Sequence, residues 1–207
     1  MKVDPAQHRE SENYKLLTSL VIPRPIAWVT SVNETGLVNL APFSFFNAIS
    51  SDPLLIIISV GTRDDDSLKD TARNILRNKE FVINMVTEEL MQGMNISAAD
   101  FPPELSEVSV AELRTAPSDR INTPRLVESP VNLECRLHTT LDVGSNKLFI
   151  GEVVMFHVAD HLMDERLHIN GFAPIGRLGS PSAYCRTADR FELPRFSYQQ
   201  YLSSRSR

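Results

Sequence analysis

From Val131 to Val143 the chain reads VNLECRLHTTLDV, with apolar and polar residues alternating through its first half. Successive side chains of an extended chain point to opposite faces, so a period of two marks a strand with one face buried. Val131, Leu133, Cys135 and Leu137 are expected on the buried face, and Asn132, Glu134, Arg136 and His138 on the exposed one. A turn near Gly144 to Asn146 and the run LFIGEVVMFHV predict an antiparallel partner. This pair commits the chain to antiparallel sheet.

The remaining segments extend that sheet. IAWVTSVNETGLVNL, Ile26 to Leu40, reads as two strands joined by a turn at Asn33 to Gly36, where glycine can adopt positive φ. LLIIISVG is β-branched and too short for a helix, hence a buried strand, and FVINMV at Phe81 to Val86 reads as another. In RDDDSLKDTARNILRN, Leu68, Ala72, Ile75 and Leu76 recur at helical spacing, with Ser67 placed as N-cap three residues before Asp70. Positions 87–124 read as a helical, loop-rich excursion in which Pro102, Pro103 and Pro117 forbid one continuous helix. The expected fold is mainly β, with about six antiparallel strands and a few peripheral helices, in one domain over 1–207. Its core spans about 14–186. The polar tail 187–207 carries Phe191, Leu193, Phe196, Tyr198 and Tyr201, and reads either as an arm lying on another surface or as a frayed end.

Charge and motifs narrow the function. A net charge of −5 with scattered basic residues argues against a nucleic-acid partner. The longest apolar run, LLIIISV, is too short to cross a bilayer and the N-terminus has no apolar leader, so no membrane partner and a cytoplasmic location are expected. Cys135 and Cys185 fit neither a metal spacing nor a disulfide framework. There is no GxGxxG, no GxxxxGK[ST] and no HExxH. His157, His161 and His168 with Asp160, Asp164 and Glu165 straddle a strand end and a loop, which gives no helical ligand geometry, and no metal is expected. Ser44 and Ser182 lack a nucleophile-elbow context, so no catalytic side chain is assigned.

Asn39 to Ser51, NLAPFSFFNAISS, breaks the alternation. Phe43, Phe45 and Phe46 cannot share one strand face, and Pro42 lacks the N–H of a central ladder position, so the stretch belongs at an edge or is irregular. It is either a bent core strand or a wall for a flat ligand whose polar edge meets the free backbone groups.

The stretch SLVIPRPIAWVTSVNETGLVNLAPFSFFNAISSDPLLIIISVG, followed by KDTARNILRNKEFVINMV, SPVNLECRL, IGEVVMFHV and GRLGSPSAY, resembles the flavin reductase-like family over roughly 14–186. The resemblance implies an FMN-binding split barrel, six-stranded and Greek-key, working as a homodimer with FMN near the interface. It implies that Ser44, Phe45, Phe46 and Asn47 line the isoalloxazine ring, and that Thr30 and Ser31 approach the flavin or its ribityl chain. Lys69, Thr71 and the helix N-terminus would meet the phosphate, unless they merely begin the helix. Arg24, stiffened between Pro23 and Pro25, would face phosphate or ring, with a surface salt bridge as the alternative. Arg177 and Tyr184 match the late motif, although Ser180-Pro181-Ser182 stands where family members carry a shorter glycine-containing link. The activity implied is hydride transfer from NADH or NADPH to FMN N5, passed on to a downstream acceptor. A flavoredoxin-like electron carrier without a nicotinamide site is the alternative.

Overall fold

Residues 1–179 and 181–205 are described by the structure, a computed structural model; the Ser180 link position lies outside them. Helix α1 (Glu10–Leu20) precedes the hairpin of β1 (Ala27–Val32) and β2 (Val38–Phe43). In the hairpin turn Asn33 Oδ1 accepts the amide N–H groups of Thr35 (3.0 Å) and Leu37 (2.9 Å), and Gly36 takes φ +86°. Strands β3 (Phe46–Ser51) and β4 (Leu54–Gly61) follow, then α2 (Asp70–Asn78) and β5 (Glu80–Met85). The excursion holds α3 (Met91–Ile96), α4 (Glu107–Val110) and a small pair, β6 (Thr115–Ala116) with β7 (Arg125–Leu126). The long hairpin of β8 (Val131–Val143) and β9 (Asn146–Val158) comes next, then β10 (Gly176–Arg177) paired with β11 (Tyr184–Cys185), and finally α5 (Tyr198–Arg205).

The main sheet is antiparallel and has seven strands, in the order β2-β1-β5-β8-β9-β4-β3. That is one more than expected, because the phenylalanine stretch contributes β3. Both of its strands are sheet edges, where Pro42 is tolerated. A flat sheet of this width would span about 29 Å at ~4.8 Å per strand spacing. The edges are nevertheless joined by only Ser44 and Phe45, a link that reaches about 11 Å. The sheet must therefore curl until its edges approach. Ile56, Ile58, Phe81, Ile83, Leu133, Cys135, Phe149 and Val153 fill the interior, with Ala72 and Ile75 of α2 packed on them. A second cluster around Trp28, Leu40, Met94 and Leu126 lies beneath the excursion, where Trp28 Nε1 donates to Ser97 Oγ at 2.8 Å.

Two local expectations are corrected. Asn132 and Glu134 are buried rather than exposed, because the excursion covers that face of β8. Asn132 donates to Asn84 Oδ1 (2.9 Å), and Glu134 accepts the amide N–H groups of Asp119 and Arg120 (2.7 Å each) while meeting His157 Nε2 at 2.6 Å. Ser67 is not the N-cap of α2. Lys69 holds that position, Ser67 N–H donates to Asp65 Oδ1, and Asp70 is ion-paired to Arg63 and Arg73. No helix among the described residues is long and apolar enough to cross a membrane.

Candidate functional site: a groove along the edge strand

An edge strand leaves one row of backbone groups without a neighbour, and α4 covers only part of this one. Ser106 Oγ donates to Val38 O (2.6 Å) and Glu107 Oε2 accepts Leu40 N–H (2.9 Å), side chains thus standing in for a missing strand. Beyond Leu40 a groove runs along β2. Its first part, about 100 Å³, is lined by Asn39, Arg63, Lys69, Thr71 and Glu107 among others. Its second part, about 230 Å³, is lined by Ser44, Asn95, Arg177 and Tyr184. Pro42, Phe43 and Ala98 border both parts.

The first part suits an anion. The Lys69 side chain, at the N-cap of α2, has no hydrogen-bond or ion-pair partner among the described residues. Asn39 Nδ2 donates to Thr71 Oγ1 at 3.0 Å, which leaves the threonine proton free to be donated elsewhere. Arg63 is less available, since it binds Asp70 and donates to Leu68 O (2.7 Å). A wider groove of about 660 Å³, between the 33–37 turn, α2 and positions 103–107, joins this part through Asn39, Asp70 and Glu107.

The second part is more apolar, with Arg177 in its lining. Arg177 lies over the Tyr184 ring at 4.6 Å, the register of β10 with β11 holding the two side by side. Arg24 exchanges backbone hydrogen bonds with Arg177 (2.9 and 2.8 Å). Its guanidinium is buried and donates to Ser44 Oγ (3.3 Å), Val21 O (2.9 Å), Leu178 O (3.1 Å) and Thr18 O. None of these partners is a carboxylate. Burial, and then the nearby Arg177 charge, pull the Arg24 pKa down, although a guanidinium remains charged throughout the physiological range.

The predicted residues divide into three places. Lys69, Thr71, Ser44, Arg177 and Tyr184 line the groove, and Arg24 braces it through Ser44. Phe45, Phe46 and Asn47 line an apolar outer cavity of about 390 Å³ with Leu17, Val21, Arg24, Ile57 and Leu148, and Phe46 also packs against the interior cluster. There Phe45 meets the Tyr14 ring (6.3 Å between centroids) and lies 5.9 Å from the Arg24 guanidinium, while Asn47 Oδ1 accepts Ala48 N–H (2.9 Å). Ser44 borders both spaces. Thr30 and Ser31 are fully buried and reach neither: Thr30 Oγ1 donates to Pro124 O (2.7 Å) and Ser31 Oγ accepts from Asn74 (3.1 Å). Sequence reasoning missed Asn39, Phe43, Asn95, Ala98 and Glu107. Phe43 was within reach, since side chains alternate along β2, whereas Asn95, Ala98 and Glu107 come from an excursion without periodicity.

Two of the three candidate histidines have local partners. His168 Nδ1 lies 3.1 Å from Asp164, and His157 belongs to the Glu134 clamp. Asp119, Glu134 and His157 bring ligand-type atoms within 4.8 Å of one another, where Glu134 also accepts two backbone amides.

The flavin reductase like domain model matches residues 19–186. A protein of Aquifex aeolicus is 44% identical over 168 residues, covering 80% of this chain and 86% of that protein. A protein of Halalkalibacterium halodurans is 39% identical over 207 residues, covering 97% and 99%. Among solved structures, nitrilotriacetate monooxygenase component B from Bacillus cereus aligns with TM-score 0.89 at 38% identity, covering 93% of this chain and 98% of that one. The 2-nitrobenzoate 2-nitroreductase NbaA of Pseudomonas fluorescens aligns with TM-score 0.87 at 36% identity, covering 96% and 98%. With the family model matching most of its length, this chain belongs to the flavin reductase like domain family.

Proposed function

We propose that the β2 groove binds FMN and that the protein transfers hydride from NADH or NADPH to it, acting as a homodimer in the cytoplasm. The observation that carries this reading is a lysine without a partner beside a donor hydroxyl, in a groove that Pro42 and Phe43 line in both of its parts. The residues fit the group. Lys69 and Thr71 meet the phosphate together with the first amides of α2. Pro42 and Phe43 offer apolar surface to the ring, and Ser44 and Asn95 offer hydrogen bonds to its polar edge. When bound, the isoalloxazine supplies the hydride-accepting centre, so the protein needs no nucleophile of its own.

The chain's own part is electrostatic and steric. Arg24 and Arg177 hold positive charge near Ser44, where it favours a flavin that has gained electrons. Relatives at 38% and 36% identity bear the names of a monooxygenase component and a nitroreductase, which supports a redox role. The dimer is supported by Tyr14, Leu17, Leu20 and Val21, which expose apolar surface beside the outer cavity. The visible spectrum of the purified protein, before and after anaerobic NADH or NADPH, tests the reading. A yellow protein that bleaches is expected; one that stays yellow is an electron carrier, and one that takes up no FMN on titration overturns the reading.

A further inference from the structure

Glu107 is the one carboxylate that borders both the Lys69–Thr71 pocket and the wider groove while being buried at the base of α4. Its structural duty is to accept Leu40 N–H at the edge of β2. A neutral amide oxygen would accept that bond equally well, so edge capping accounts for the acceptor but not for an ionisable group.

The surrounding charges are few. Lys69 is the cation without a partner, and Arg63 is committed to Asp70, which Arg73 also engages. Asp100 adds negative charge at the rim. On the wider-groove side Arg77 faces Glu34, and Glu104 completes the lining. A flavin phosphate carries about −1.5 to −2 charges at pH 7. Placed beside Lys69 it would share a cavity of about 100 Å³ with the Glu107 carboxylate, and a single ammonium cannot neutralise both.

We propose that Glu107 sets the ligand charge this groove accepts, taking up a proton from solvent as a flavin phosphate enters, so that loading FMN consumes about one proton that loading riboflavin does not. The inference rests on the FMN reading above. Protonation turns a repelling carboxylate into a carboxylic acid that can donate to a phosphate oxygen while its other oxygen keeps Leu40 N–H. Burial pushes the Glu107 pKa above its ordinary value, with the Leu40 amide opposing, which is the direction that proton uptake requires.

The test is calorimetric titration of the whole protein with FMN and with riboflavin, between pH 7 and 8, in buffers of different ionisation enthalpy. The wild type is expected to take up about one proton per FMN and none per riboflavin, with the FMN dissociation constant rising about tenfold per pH unit. Glu107→Gln, which keeps an acceptor for Leu40, is expected to lose the uptake and the pH slope. Uptake that persists in Glu107→Gln would place the proton on the phosphate and overturn the inference, as would equal uptake with the two flavins. Infrared difference spectra of the wild type on FMN addition serve if the variant does not fold: a new protonated-carboxyl band supports the inference, and its absence sinks it. A wild type that binds riboflavin and FMN without proton uptake defeats only this inference, whereas one that binds neither defeats the FMN reading as well.

Discussion

Lys69 and Thr71 differ from their neighbours in having bonding capacity left over. Replacing both with alanine is expected to weaken FMN binding by about 2–4 kcal/mol while costing only about 1 kcal/mol of apo stability through the lost Asn39–Thr71 bond, as fluorescence titration and calorimetry would show. Thr30 should behave in the opposite way. Thr30→Val strands the part-buried Pro124 carbonyl and should cost about 1–3 kcal/mol of stability in urea unfolding with no change in FMN affinity. Among the aromatics, Phe43→Ala should lower flavin affinity more than Phe45→Ala, because Phe43 borders the groove and Phe45 the outer cavity. The sequence set a bent core strand against a ligand wall for this stretch, and it did not show which side each ring faces. Orientation depends on where β2 stops and β3 starts, and Ser44 and Phe45 interrupt the alternation there.

The strands were legible because a period of two and β-branched runs follow from the geometry of an extended chain. The helix α1 was not, since Tyr14, Leu17 and Leu20 are exposed and its sequence shows no face turned to a core. Nor could alternation reveal that both faces of β8 are covered. A polar residue in a strand reports its own chemistry and not what lies above it, and Glu134 is buried because its carboxylate gathers the 119–120 backbone and His157. Burial raises the Glu134 pKa, but the Asp119 amide, His157 and the Arg120 amide outweigh it and leave the carboxyl below its ordinary 4.5. A carboxyl depressed on folding stabilises the fold above its unfolded value and ceases to do so as pH falls through its folded value. Glu134→Ala is therefore expected to cost about 3–5 kcal/mol at pH 7, and the gap from wild type should shrink below pH 4.5 in urea melts at stepped pH.

At the scale of the whole molecule, one apolar surface lies around the outer cavity, where Leu17, Val21, Phe45, Phe46, Ile57 and Leu148 meet. Light scattering at low micromolar concentration should find a dimer, and Leu17→Glu should shift it towards monomer; a wild-type monomer would remove the case for that interface. The tail beyond Arg190 presents Phe191, Leu193 and Phe196 to solvent, the aromatic spacing that the sequence displays but whose resting place it does not specify. The sequence also did not disclose that the first and last strands of the sheet are neighbours along the chain, because strand order is set by pairings between distant segments. That neighbourhood limits how such a protein can diversify. An insertion between Phe43 and Phe46 would have to prise open the curled sheet, whereas exposed loops of the excursion at 87–124 can change length at the surface. New ligand preferences among descendants of this chain should therefore arise by remodelling the rim of the groove, with its floor inherited at constant length.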